Sequence, residues 1–352
     1  MPDGNLYKMD FGSPKPEYIV EGSPINQSDV REFIMNLRGR KPPDWWRTNV
    51  DLTRYFGYRA IVECVHHYDI GQGKNYFFYH NLKAQRWQVI PWDVDLTWAD
   101  HMYGNGAEPF YQAGLLQTDP FKAEYLRRLA EIRDLLFNSE QTGALINEYA
   151  AVISNLKGGL GVVDADRAKW DYHPIMSSEF VEKGKADPGR YYESAPTRNF
   201  AGMLKLMKQY VEKRGQWIDR TLLADAVFAA TPQIVNDRKL DLTGPMLKLQ
   251  LAAVKPVSKA RWRVAEITTA SDTAVGARQA GKYEINALWE TEGGPAVEIP
   301  AGKLDAGHSY RVRACVQDAQ NRWSRWSAPV EFTTSGAQRG KSKISPESSG
   351  AR

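Results

Sequence analysis

Two apolar runs with acidic and amide side chains at their ends decide the fold of the N-terminal region. They read His67-Tyr-Asp-Ile-Gly-Gln-Gly-Lys-Asn-Tyr-Phe-Phe-Tyr-His80 and Arg86-Trp-Gln-Val-Ile-Pro-Trp-Asp-Val-Asp-Leu-Thr-Trp98. Because aromatic and β-branched residues favour extended chains, the pattern predicts strands at 75–80 and 87–91. The polar residues at 81–85 predict the turn that joins them into a hairpin.

Acidic side chains flank both predicted strands. Asp69 precedes the first strand, and Asp93 and Asp95 follow the second. A hairpin brings the start of one strand beside the end of the other, so these three carboxylates are expected within reach of one cation. An Asp at a strand end also commonly caps a turn, and this alternative stays open for Asp95 in particular.

The same residues resemble a known family. His67-Tyr-Asp69, Asn75 and Ile-Pro-Trp-Asp-Val-Asp95 together resemble the catalytic region of the CotH (spore coat protein H) kinases, an atypical protein-kinase-like group. The resemblance extends more weakly over residues 1–225. It implies ATP-dependent transfer of a phosphoryl group to a protein hydroxyl. In protein kinases one Asp accepts the hydroxyl proton, while an Asn and a second Asp hold the metal ions on the phosphates.

The resemblance implies a role for each residue of the pattern. Asp69 would be the catalytic base, with His67 orienting it. Asn75, Asp93 and Asp95 would bind the nucleotide through Mg²⁺ or Mn²⁺, ions that prefer hard oxygen ligands. The Asn of the general kinase pattern follows the catalytic Asp by five residues, whereas here it follows by six, in a glycine-containing loop that can absorb the extra residue.

A protein kinase also has a preceding lobe, whose glycine-rich loop and strand lysine cover the phosphates. Nothing before residue 67 is recognised as such a lobe, and Gly4-Asn-Leu-Tyr-Lys8 resembles the segment that follows it in the family. We therefore expect most of that lobe to be missing from this sequence. One hypothesis is an active kinase, and the alternative is a weak, truncated remnant that acts as a binding or scaffold protein.

The fold class expected for the chain is α+β, with a mainly helical kinase-like domain over residues 1–228 around the small hairpin. Residues 99–117 are expected to form a long loop that contacts substrate or acts as a lid. Apolar residues at helical spacing predict helices at 26–38, 51–67, 120–137, 141–156, 177–185 and 198–226.

A change in pattern near residue 230 predicts a second domain. After a linker at 229–245, alternating segments predict an antiparallel sandwich over 246–335, and a polar tail at 336–352 is expected to be disordered. The predicted strands are 247–251, 261–267, 283–288, 296–299, 310–316 and 330–334.

Two motifs give this second domain its resemblance to fibronectin type III modules. The turn before Tyr310 resembles a tyrosine corner, and Trp323-Ser-Arg-Trp326-Ser resembles the Trp-Ser-x-Trp-Ser element of cytokine-receptor modules. Arg311 and Arg313 are expected to stack between the two tryptophans. Such a module suggests an extracellular or cell-surface location and contact with a surface or polysaccharide.

Composition bounds the remaining classes. The 352 residues carry 46 basic and 42 acidic side chains without a long basic block, which argues against nucleic-acid binding. No apolar stretch approaches the roughly 18 residues that span a bilayer, and no signal pattern opens the chain. Cys64 and Cys315 fall in different predicted domains, so no disulfide framework follows. Besides the nucleotide, the expected partner is a protein substrate.

Overall fold

The structure, a computed structural model, describes residues 3–23, 26–98, 109–154, 159–169, 200–224, 228–235, 246–252, 259–267 and 282–334. The chain divides into two compact units, residues 1–227 and 228–352. It combines helices with antiparallel sheets, as the α+β class requires. The predicted helix at 177–185, the predicted tail and residues 99–108 of the predicted loop lie outside the described residues.

The first unit contains a four-stranded antiparallel sheet in the order β2-β1-β3-β4. The predicted hairpin is confirmed as β3 and β4, in which Tyr76 lies opposite Pro91. The first two strands of the sheet were not predicted, so the hairpin is half of a larger sheet rather than an isolated element. The strands are β1 Gly4–Asp10, β2 Ser13–Tyr18, β3 Tyr76–Asn81 and β4 Arg86–Pro91.

Helices make up most of the rest of the first unit, within its described residues. Five of the six predicted helices are present within a few residues of the predicted bounds, and the sixth falls outside the described part. Three short helices in the described part, Pro43–Asn49, Pro109–Gln112 and Val162–Lys169, were not predicted. The first begins at Pro43, a favoured first helical position, and the second lies within the stretch that was predicted as a loop. The helices are α1 Ser28–Leu37, α2 Pro43–Asn49, α3 Leu52–Val65, α4 Pro109–Gln112, α5 Phe121–Leu135, α6 Gln141–Ile153, α7 Val162–Lys169 and α8 Phe200–Thr221, with 3-10 helices at Tyr68–Gly73 and Leu115–Gln117.

The carboxylate of Asp29, in the first turn of α1, joins that helix to the inner face of the sheet. Its Oδ1 accepts from the Tyr7 hydroxyl at 2.7 Å, and its Oδ2 lies 2.9 Å from His80 Nδ1 and 3.2 Å from Asn5 Nδ2. The His80 ring stacks on Trp87 with centroids 4.2 Å apart. A partly buried charge needs several donors, and this one has them from two strands.

The second unit contains a four-stranded antiparallel sheet, β10-β9-β6-β7, and a two-stranded one, β5-β8. Apolar side chains from both sheets form one buried cluster around Trp262 and Ile299. The strand predicted at 283–288 is wrong in its bounds, since β7 begins only at Ala287. The strands are β5 Met246–Gln250, β6 Lys259–Glu266, β7 Ala287–Gly293, β8 Ala296–Pro300, β9 Ser309–Gln317 and β10 Val330–Thr333.

The predicted tryptophan–arginine ladder is present, but with different arginines. Arg261 lies over Trp323 at 5.1 Å and Arg263 over Trp326 at 5.3 Å, both on β6. Arg311 and Arg313 of β9, the arginines expected there, enclose the carboxylate of Glu284, which is 1% exposed. Such charge-assisted hydrogen bonds are among the strongest that a guanidinium group makes.

The described part of the predicted linker belongs to the second unit. Ala229 forms a parallel bridge with Ser324, and Ile234 an antiparallel bridge with Leu251. Both cysteines are buried, and no disulfide joins them. Within the described ranges, no helix is long and apolar enough to cross a membrane.

Candidate functional site

Helix α3 delivers the first part of the site. Its N-terminus is capped by Asp51, whose side chain accepts from the backbone N–H of Arg54 at 3.1 Å. Its C-terminus is closed by His66 in the left-handed conformation, with φ of 51°. The His67 N–H then bonds to the Val62 carbonyl at 3.0 Å. This ending turns the chain sharply into the 3-10 helix that carries Asp69.

Asn75 fixes the orientation of Asp69. One amide nitrogen, Nδ2 of Asn75, donates to both the backbone carbonyl and the carboxylate Oδ2 of Asp69, each at 2.8 Å. Asn75 is 9% exposed and has a φ of 64°, a conformation that Asn tolerates better than most residues. The extra residue in the loop therefore does not separate this predicted pair. The Asn75 side-chain oxygen is the atom that can still bind a cation.

Lys74 occupies the other carboxylate oxygen of Asp69. Its Nζ lies 2.7 Å from Asp69 Oδ1 and 5.6 Å from the centre of the Phe11 ring. The loop also contacts the turn between β1 and β2, because the Gly12 N–H bonds to the Gly73 carbonyl at 2.9 Å. A Cβ at Gly73, where φ is +73°, would lie 2.6 Å from Gly12 N. Only glycine permits this approach.

Asp93 and Asp95 follow the second strand of the hairpin, at the same open end. The Trp92 N–H bonds to the Asn75 carbonyl at 3.1 Å, which joins the exit of β4 to the entrance of β3. Both carboxylates are exposed. The neighbouring carboxyl of Asp95, together with partial desolvation, raises the pKa of Asp93, and the charge of Lys8 opposes this shift. The two acids therefore form a close pair of like charges.

His67 lies between the Asp69–Asn75 pair and the Asp93–Asp95 pair. It is 2% exposed, and burial lowers the pKa of its imidazole, while backbone groups of Trp92 and Asn75 and the carboxylate of Asp69 act in the opposite direction. Its charge also acts on Asp93. Both ring nitrogens are buried without a hydrogen-bond partner among the described residues, so the side chain fits a supporting role better than proton transfer to solvent.

The structure thus brings the five predicted residues to one end of the hairpin. They form two sets there, the Asp69–Asn75 pair and the Asp93–Asp95 pair, with His67 as the fifth residue. No group of three or more His, Cys, Asp or Glu side chains in the described ranges is arranged around a metal position. The expectation that three carboxylates surround one cation is therefore not met, because Asp69 is engaged by Lys74 and Asn75. The two remaining carboxylates and the amide oxygen of Asn75 are oxygen donors of the kind that a hard divalent ion prefers.

Sequence reasoning missed two lysines. Lys74 was not singled out, and Lys8 was taken only as part of a family segment. Lys8 lies on β1 with its Nζ 5.1 Å from the Trp92 ring, and Trp92 packs edge-on against Phe77 at 5.2 Å. The signal for Lys8 was its position between Tyr7 and Met9, because alternation on a strand places it on the opposite face from those buried residues.

Comparison with known proteins identifies relatives of the first unit. The sequence model of the family described as CotH kinase protein matches residues 3–218. The inner spore coat protein H of Bacillus subtilis (strain 168) is 29% identical over 101 residues, which cover 26% of this chain and 28% of that protein. Among solved structures, the twitchin kinase region from C. elegans matches at 15% identity and a TM-score of 0.21, over 33% of this chain and 18% of that one.

Proposed function

The chain belongs to the CotH kinase family, and we propose that its first unit transfers the γ-phosphoryl group of ATP to a hydroxyl group of a protein. Asp69 is the proposed base, which accepts the hydroxyl proton while the oxygen attacks phosphorus. Lys74 balances the charge of that carboxylate and can follow the phosphoryl group as it moves. His67 supports the loop from its buried side.

The observation that carries this proposal is the double hydrogen bond from Asn75 to Asp69. One amide fixes both the backbone and the carboxylate of the acidic residue, so the base is held before any substrate arrives. Pre-orientation of this kind is what a catalytic carboxylate needs and what a turn-capping one does not.

The nucleotide would be held with its metal by Asn75, Asp93 and Asp95. A bound Mg²⁺ or Mn²⁺ supplies neutralisation of the charge that develops on the phosphates. The close pairing of Asp93 with Asp95 supports this assignment, because two adjacent carboxylates gain by binding either a proton or a cation. Lys8, on β1, adds a positive charge that acts on the same pair.

The test measures nucleotide binding and phosphate transfer separately. Calorimetric titration with ATP and Mn²⁺ should show binding that is lost in Asp93→Asn. Transfer of labelled phosphate to casein, or to the chain itself, should fall at least about 100-fold in Asp69→Asn, the usual contribution of a general base. Asp166→Asn, an exposed acidic position on α7, is the matched control and should change neither. Equal binding by the parent chain and Asp93→Asn would remove the proposed metal role.

One observation favours a second candidate function. The Lys74–Asp69 ion pair and the division of the carboxylates into two sets are also what a catalytically weak remnant would show. In that case the chain serves as a binding or scaffold protein, attached to a surface or polysaccharide by its second unit. Absent nucleotide binding in the parent chain would favour this alternative.

We also propose that the second unit is a fibronectin type III-like module. The Tyr310 hydroxyl accepts from the Asp305 backbone N–H at 2.7 Å, as in a tyrosine corner. The hydroxyls of Ser324 and Ser327, from the tryptophan motif, accept from backbone N–H groups of β9 at 3.0 and 3.1 Å. Both features support the relationship.

A further inference from the structure

The C-terminal end of α3 is held by an unusually complete set of partners. The last carbonyls of a helix have no partner within the helix and must find others. Here the Glu63 carbonyl accepts from two nitrogens of the Arg214 guanidinium at 2.9 and 3.1 Å, and the Cys64 carbonyl from the Tyr210 hydroxyl at 3.2 Å. Two of the carbonyls that end α3 therefore depend on side chains of α8.

Arg214 is a buried charge with a matched partner. It is 6% exposed, and its guanidinium lies 2.7 Å from Glu63 Oε1 and over the Trp217 ring at 4.1 Å. The other oxygen of Glu63 binds Arg59 at 3.1 Å. A buried ion pair of this kind contributes geometry more than stability, because removing its charges from water is costly. Because Glu63 lies only four residues before His67, the geometry of this ion pair is relevant to the site.

The end of α3 and Tyr210 of α8 also contact the segment that follows Asp93 and Asp95. The Trp98 N–H donates to the Val65 carbonyl at 2.8 Å, and its ring packs on Tyr210 at 5.6 Å. Trp98 ends the segment that carries Asp93 and Asp95. One side chain of α8 therefore contacts both the helix that leads to Asp69 and the segment that follows the acidic pair.

We infer that Tyr210 and Arg214 are positioning residues, which set the register between the Asp69 loop and the Asp93–Asp95 segment. They act through the end of α3 and not by touching substrate. Their relevance to catalysis rests on the proposed function, whereas their effect on the loop does not. Helix α8, far along the sequence from the hairpin, is thereby part of the machinery of the site.

Hydrogen–deuterium exchange tests the inference directly. In Tyr210→Phe, which keeps the ring, and in Arg214→Gln, exchange in peptides that cover residues 66–75 and 92–98 should rise about fivefold, the effect of losing one ordinary hydrogen bond. Arg214→Lys keeps the charge and should restore most of the protection. The control is Asp219→Asn, which removes a 2.9 Å ion pair between α8 and Arg133 of α5.

Kinetics supply the second readout. If the parent chain transfers phosphate, Tyr210→Phe should lower kcat about fivefold while leaving the KM for ATP within about twofold, and Asp219→Asn should change neither. Unchanged exchange in Tyr210→Phe and Arg214→Gln, or an equal rise in Asp219→Asn, would overturn the inference. A parent chain without activity would refute the proposed function alone, because the exchange result still decides the positioning role.

Discussion

The carboxylate of Asp29 should make the first unit sensitive to acid. Hydrogen bonds from His80, Tyr7 and Asn5 outweigh its desolvation and lower the pKa of Asp29 from 3.8 to about 2. At about 1.4 kcal/mol for each tenfold change in acidity, this shift corresponds to about 2 kcal/mol of the free energy of unfolding. Because the folded-state pKa is the lower one, the contribution is complete above about pH 5. It decreases as the pH falls through 3.8 towards 2.

The substitution Asp29→Asn isolates the contribution of this carboxylate to the free energy of unfolding. The neutral amide keeps the size of the side chain but cannot accept all of the hydrogen bonds, so the variant should be less stable by about 2 kcal/mol at pH 7. Urea unfolding, followed by the fluorescence change of the first unit, should show the gap between parent and variant closing as the pH falls from 6 to 2. Asp166→Asn serves as the exposed control. A gap that is the same at pH 6 and pH 2 would refute the reasoning.

Three further predictions concern other charged groups. Glu284→Gln should lower the stability of the second unit by about 3–5 kcal/mol, because it removes the buried carboxylate that both Arg311 and Arg313 bind. Thermal unfolding measures this, and a loss under about 1 kcal/mol would contradict it. Carboxyl titration by NMR should show that Lys8→Met raises the pKa of Asp93 further and Asp95→Asn lowers it. Since protons and Mn²⁺ compete for the Asp93 carboxylate, the affinity for Mn²⁺ should rise as the pH rises through the pKa of Asp93. An affinity that does not change with pH would argue against Asp93 as a metal ligand.

The sheet of the first unit was only half predictable. Strands β3 and β4 were predicted from their aromatic and β-branched residues. Strand β1 was not, because its inward side includes Asn5, which is polar and is buried only through the charge of Asp29. Strand β2 contains Pro14 and Pro16, which argue against a strand in sequence. Both segments therefore form strands because of the residues that they contact in the folded chain, which the sequence pattern does not report.

The limits at the candidate site were similar. The spacing of Asp69 and Asn75 was enough to predict their proximity, because both lie in one short loop. The ion pair with Lys74 depends on the rotamer of a long side chain, which no pattern reports. In the second unit, alternation placed the arginines on strand faces but could not say which of two neighbouring strands lies beneath the tryptophans. Burial of Glu284 decided that question, and its segment had been predicted as strand.

The prolines of β2 affect how the first unit meets other chains. In the pairing with β1, Pro14 lies opposite Met9 and Pro16 opposite Tyr7, while Lys15 between them lies opposite Lys8. Along a strand, successive N–H groups point to opposite sides, so both prolines stand where donors would otherwise face away from the sheet. A strand of another molecule would find too few N–H donors at the β2 edge to pair with it. Edge-to-edge association and fibril growth through β2 are therefore disfavoured.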